Sequence, residues 1–282
     1  MAPVVFVHGV GEPPGPGPDS ARAAWIDALA APAPDAFDTW LRDHSAIAYY
    51  QDWAWYSGDD RAERATESTW TSLRRTIGDV VDEAHAAYDD VQPERLGDLA
   101  EVANRWSESD RVVAASNQAA DRVSAFNLWQ VPAFLEDLDD TRRIVLDRFH
   151  DVVGDETRVV VAHSMGSIVA FEAAHASGLE LDALVTLGSP LGVDSYVRRR
   201  LTAPDRAPAG VRRWINIAHP NEPVAHVTEL APLFTAPDGS PVVEDLVLDT
   251  NSPWHAVDTY LRHDAVRRAI WNVLEPLIAA AR

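Results

Sequence analysis

Between residues 159 and 174 the chain passes from strand to helix with no loop between them, and that transition constrains the fold more than any other stretch. Val159-Val160-Val161 is a β-branched run, long enough for a buried strand and too short for a helix. Beyond it Ile168, Phe171 and Ala174 recur at three-residue steps, the pattern of a helix packed on a sheet. Only Ala162-His163-Ser164-Met165-Gly166 joins the two. A turn that sharp needs small residues two before and two after its apex, since larger side chains would strike the neighbouring strand and helix. Ala162 and Gly166 satisfy that need and leave Ser164 at the apex, in a strained conformation with its hydroxyl above the sheet. The helix that starts there offers free N–H groups and a partial positive charge beside the hydroxyl.

The rest of the sequence supplies strands and helices in alternation. Val4-Val5-Phe6-Val7 reads as a buried strand running into His8-Gly9-Val10-Gly11, and 12–18 is a Pro/Gly-rich loop. A helix is expected over 21–31 with Ser20 as its cap, then a strand over 46–50. That strand leads to Gln51-Asp52-Trp53-Ala54-Trp55-Tyr56, an aromatic cluster suited either to lining a pocket or to packing beneath the helical segment after it. From 57 to 130 the pattern is helical and acidic, with one apolar face through Leu73, Ile77, Val80, Val81 and Ala84, and another through Val112, Ala119, Val123 and Phe126. A single helix is expected over 132–152. After the central turn, Ser177-Gly178 stops the helix, and strands are expected over 183–187, 211–218 and 242–248, with a closing helix over 260–281. Such alternation predicts an α/β fold, a mostly parallel sheet covered by helices on both faces.

Composition removes several classes of function. Against 24 basic residues stand 44 acidic ones, a net charge of -20, which repels nucleic acid and anionic membrane surfaces. Without cysteine the chain has neither a thiol nucleophile nor a thiolate metal site. The acidic pairs Asp59-Asp60, Asp89-Asp90 and Asp139-Asp140 lack a ligand spacing, and there is no P-loop, dinucleotide fingerprint or zinc signature, so neither metal nor cofactor is expected. No apolar run reaches the length of a membrane span, and Met1-Ala2-Pro3 carries no basic segment of an export signal. A cytoplasmic protein without an integral membrane segment is the expectation.

Ala162-His163-Ser164-Met165-Gly166, between its strand and its helix, resembles the nucleophile elbow of the α/β-hydrolase superfamily, in its lipase- and esterase-like branch. The usual pattern is Gly-x-Ser-x-Gly; here Ala162 takes the first place, a form some lipase-like members share. The resemblance implies an α/β-hydrolase fold with a core over 1–56 and 131–282. It also implies a helical insertion over 57–130, placed above the serine as a lid or beside the sheet with no gating role. It makes Ser164 the nucleophile and His255, on the loop between last strand and last helix, its base, with His226 as the other candidate. His175 and His263 fall inside expected helices. The acid is Glu222, in Glu222-Pro223-Val224 where the family often carries Asp-Pro-Val, or alternatively Asp194. The oxyanion donors are the N–H groups of Val10 and Met165. His163 receives no chemistry. The implied reaction is hydrolysis of a carboxylic ester, small or lipid-like, through a Ser-His-acid triad and an acyl-enzyme. The alternatives are amide, peptide or thioester cleavage or acyl transfer by the same triad, and a non-catalytic binding protein that kept the elbow.

Overall fold

Val4-Val5-Phe6-Val7 has no polar side to turn to water, so the strand it forms must be covered on both faces. In the computed structural model β1 (Val4–Val7) is fully buried and lies inside a six-stranded sheet. The structure describes residues 1–9, 17–30, 35–50, 130–137, 140–193, 197–220, 224–225, 227–248 and 255–281. In these, α1 (Pro18–Ala30) and α2 (Asp35–His44) follow β1 and lead to β2 (Ser45–Ala48). Then come α3 (Gln130–Leu135), α4 (Thr141–His150), β3 (Val159–His163), α5 (Met165–Ser177), β4 (Ala183–Leu187), β5 (Trp214–Ala218) and β6 (Val243–Val247). The chain closes with α6 (Val257–Arg262) and α7 (Asp264–Ala280).

All five strand pairings are parallel, in the order β2-β1-β3-β4-β5-β6. Alternate residues of each inner strand enter different cores, as a pleated backbone requires. Val5, Val7, Val160, Ala162, Leu184 and Trp214 pack with α3, α4 and α5. Val4, Phe6, Val159, Val161, Val185 and Ile217 pack with α1, α2, α6 and α7. The molecule is therefore an α/β fold with helices on both faces of a parallel sheet. On the first face Glu172 of α5, fully buried, pairs with Arg142 of α4 and accepts the Thr202 N–H at 2.8 Å.

Strand order locates the site before any side chain is considered. From β1 the chain moves outward to β2 and then returns to β1's other side as β3, with later strands continuing away. The helix after β1 packs on one face and the helix after β3 on the other, so the carboxyl ends of these two strands form the topological switch point, the place where open parallel sheets bind their ligands. Gly9 follows β1 there, and Ser164 follows β3.

Several boundaries differ from expectation. The helix expected over 132–152 is two helices, because Asp137 and Asp140 take left-handed backbone (φ 52° and 63°), a conformation aspartate tolerates better than most residues. The closing helix is also two, broken at His263, whose extended backbone ends α6 while its Nδ1 accepts the Ala265 N–H at 3.2 Å. His263 is thus a cap and not a helix-interior residue. Helix α1 starts at Pro18, which puts Ser20 inside it, and α2 was not expected although Phe37, Trp40 and Leu41 mark its buried side. Strands β2, β5 and β6 are shorter than the expected 46–50, 211–218 and 242–248. Gly178, left-handed at φ 63°, closes α5 where the sequence indicated. The insertion over 57–130, apart from Gln130, and the aromatic stretch from Gln51 to Tyr56 lie outside the described residues.

Candidate active site

Ser164 is where β3 becomes α5 without a connecting residue. Its N–H donates to the Leu187 carbonyl at the end of β4 (3.0 Å), and its own carbonyl accepts the N–H of Ser167 (2.9 Å). Held between these bonds, it adopts φ 54°, ψ −129°, a sparsely populated backbone region that costs about 1–3 kcal/mol for a residue with a side chain. The turn is as tight as the sequence suggested. A Cβ on Gly166 would come within 2.3 Å of the Val7 carbonyl oxygen and 2.6 Å of that of His8, so only glycine lets α5 leave so close to β1. A Cβ on Gly9 would lie 2.7 Å from Ser164 Cβ, which measures how closely the backbone after β1 passes the serine.

His255 Nε2 lies 2.7 Å from Ser164 Oγ. With the ring proton on Nδ1, Nε2 is an acceptor and the serine hydroxyl donates to it, the arrangement in which a serine can give up its proton. His255 is half-buried and Ser164 only 3 % exposed. Met165 opens α5, so its N–H has no acceptor within the helix and stands with the positive end of the helix dipole beside Ser164.

Two further histidines complete the shell. His8, fully buried, accepts the Tyr50 N–H on Nε2 (3.1 Å) and stacks on the Tyr50 ring at 4.1 Å, while the Tyr50 hydroxyl donates to the His8 carbonyl. With Nε2 accepting, its proton sits on Nδ1, 2.6 Å from the Gly9 carbonyl. These bonds fix the end of β1 to the end of β2. His163, the last residue of β3, is buried too; its Nε2 is 2.8 Å from the His255 carbonyl oxygen and its ring 4.6 Å from the His255 ring. Burial pushes His163 well below the usual histidine range, and repulsion from His255 and His8 adds to the effect. Neither side-chain arrangement has a sequence signature beyond the histidine itself.

Of the residues singled out by sequence, Ser164, His255 and Met165 come together here. Glu222, its alternative Asp194, the second base candidate His226 and the oxyanion candidate Val10 lie outside the described residues. Among the described residues no group of three or more His, Asp or Glu side chains could hold a metal ion, and no helix is long and apolar enough to cross a membrane. No protein-family model matches the chain, and no curated protein matches it in sequence.

Proposed function

We propose that this chain is a serine hydrolase of the α/β-hydrolase kind, cleaving carboxylic esters through an acyl-enzyme. The observation that carries the reading is the 2.7 Å approach of His255 Nε2 to the hydroxyl of a serine held at positive φ between a strand and a helix. Strain of that kind is kept where a side chain must be presented, and a base within hydrogen-bond reach is what a serine needs to attack.

In the first step Ser164 Oγ bonds to the ester carbonyl carbon while its proton passes to His255 Nε2. The carbonyl oxygen becomes an oxyanion facing the Met165 N–H, with the Val10 N–H as the proposed second donor. Collapse breaks the carbon–oxygen bond to the alcohol, which takes the proton from His255. Water then attacks the acyl-enzyme, giving its proton to His255, and the acid leaves as Ser164 Oγ recovers that proton. Glu222, or Asp194 in its stead, is the proposed carboxylate that orients His255 and steadies the imidazolium. The residues of 57–130 are the proposed cover over the serine.

The ester is the part of the proposal that comes from resemblance, since a serine and a histidine at this distance serve thioesters and amides as well. Hydrolysis of p-nitrophenyl esters of graded acyl length tests it. Native protein turns over at least one of them, and Ser164→Ala loses at least about 10³-fold in kcat with its fold intact. Equal turnover by Ser164→Ala would sink the proposal.

A further inference from the structure

His163 has no step in the proposed reaction, yet it is the side chain in closest register with both reacting residues. It precedes Ser164 directly and is paired with Leu187 as the last residue of β3. Its Nε2 meets the His255 carbonyl oxygen at 2.8 Å, and its ring lies against the His255 ring. A carbonyl oxygen can only accept, so Nε2 carries the proton and donates it. The neutral ring then has a bare nitrogen at Nδ1, which is buried without a hydrogen-bond partner. That nitrogen is pressed against the backbone after β1, since a Cβ on Gly9 would stand 3.1 Å from it.

An imidazole is an expensive way to fill this slot. An apolar ring would pack there without bringing an unpaired acceptor of its own, though it would take from the His255 carbonyl the donor it now has. What the imidazole adds is one directed donor, aimed at the main chain of the residue that approaches Ser164. The groups facing His163 are His255 from the loop before α6, His8 from the end of β1 and Tyr260 from α6, whose ring is 6.0 Å away. Among the described residues none of these is a carboxylate, and burial together with repulsion from His255 and His8 outweighs the bond to the His255 carbonyl, the one cause that favours a charged ring. A neutral ring is also what an adjacent imidazolium at His255 can tolerate when the base takes the serine's proton.

We propose that His163 is a positioning residue, holding His255 against Ser164 by donating Nε2–H to the His255 carbonyl from the rigid end of β3. One strand end thereby sets both partners: Ser164 through the backbone turn and His255 through the neighbouring side chain. The inference rests on the reading of Ser164 and His255 as nucleophile and base. It assigns His163 no contact with substrate.

The test compares native protein with His163→Phe and His163→Gln on an ester that the native protein hydrolyses. His163→Phe keeps a ring but loses the donor, and kcat falls about 10²-fold with KM little changed, the size expected of a misplaced base. The amide N–H of His163→Gln reaches close to the position of Nε2 and recovers about tenfold of that loss. In a His255→Ala background, His163→Phe costs less than about twofold, because nothing remains to be positioned. Native kcat in His163→Phe, or an equal loss in both backgrounds, overturns the inference while leaving the serine–histidine reading in place. Activity that survives Ser164→Ala removes both. Independently of activity and of any variant, nitrogen-15 spectra of the native histidines should find His163 neutral with its proton on Nε2 at pH 6. A ring protonated on Nδ1, or charged, overturns the inference as well.

Discussion

At the amino-terminal edge of β3, β4 and β5 the charged side chains face water. Arg212 pairs with Asp182 at 3.0 Å with the two side chains 72 % and 39 % exposed, beside a cavity of about 620 Å³ lined also by Arg158, Asp155 and Glu180. At the opposite edge of the same sheet His8, His163 and Ser164 are at most 4 % exposed, and His8 Nε2, His163 Nε2 and Ser164 Oγ meet specific partners across β1, β2, β3 and the segment before α6. The first edge has room and charge, but its charges are solvated and can be lost cheaply. The second is packed closely, and the hydrogen-bonded polar groups there are fixed because burial makes misplacement costly. On the proposed reading the chemistry belongs with the buried titratable cluster at the topological switch point and not with the cavity.

The largest expected effect that separates the two edges is steric. Gly166→Ala forces a methyl group into the Val7 and His8 carbonyls and should cost about 3 kcal/mol or more in chemical denaturation. Gly178→Ala has open space and only a left-handed backbone to resist it, at about 1–2 kcal/mol. Equal losses in the two variants would mean that the turn at Ser164 is not under steric control.

A smaller effect concerns pH. The folded state holds His163 below its ordinary value of 6.5, so between the two values the unfolded chain binds more protons and stability rises with pH. The contribution is complete above about pH 6.5 and is lost as pH falls toward the folded value, with a slope of at most about 1.4 kcal/mol per pH unit. Stability curves measured from pH 7.5 downward should show that slope in the native protein and a reduced one in His163→Phe. A slope that is unchanged in the variant would place the proton uptake elsewhere.

The smallest effect belongs to the solvated edge. Arg212→Ala removes an exposed pair and should shift stability by less than about 1 kcal/mol, with ester turnover unaltered. A large loss of activity in that variant would erase the contrast between the edges.

How much of this was legible in the sequence depended on whether the cause was local. The turn at Ser164 needs Ala162 and Gly166 within five consecutive residues, and the parallel sheet needs β-branched runs such as Val159-Val160-Val161, so both could be read directly. Helix breaks were harder. Leu138 prolongs the apolar spacing of Phe134 and Leu135 and hides the stop at Asp137, while His263 interrupts the closing helix inside an apolar pattern that runs on through Val266 and Ile270. Helix α2 was legible in Phe37, Trp40 and Leu41 but is short and hemmed in by prolines at 32 and 34. The approach of His255 to Ser164, 91 residues apart, comes from the order of elements that the resemblance supplied and not from any local pattern. His163's bond to the His255 backbone could not be read at all, because a carbonyl oxygen is present at every residue and leaves no mark in the sequence.

The central claim is that Ser164 is an activated nucleophile, and reaction with a fluorophosphonate followed by peptide mapping tests it most directly. The probe forms a bond from Ser164 Oγ to phosphorus with loss of fluoride, and that reaction needs the base but no knowledge of the natural substrate. The account predicts one adduct on the peptide containing Ser164, none in Ser164→Ala, and labelling slowed by at least about 10³-fold in His255→Ala. Folded native protein that stays unlabelled, or an adduct that persists in Ser164→Ala, would contradict it.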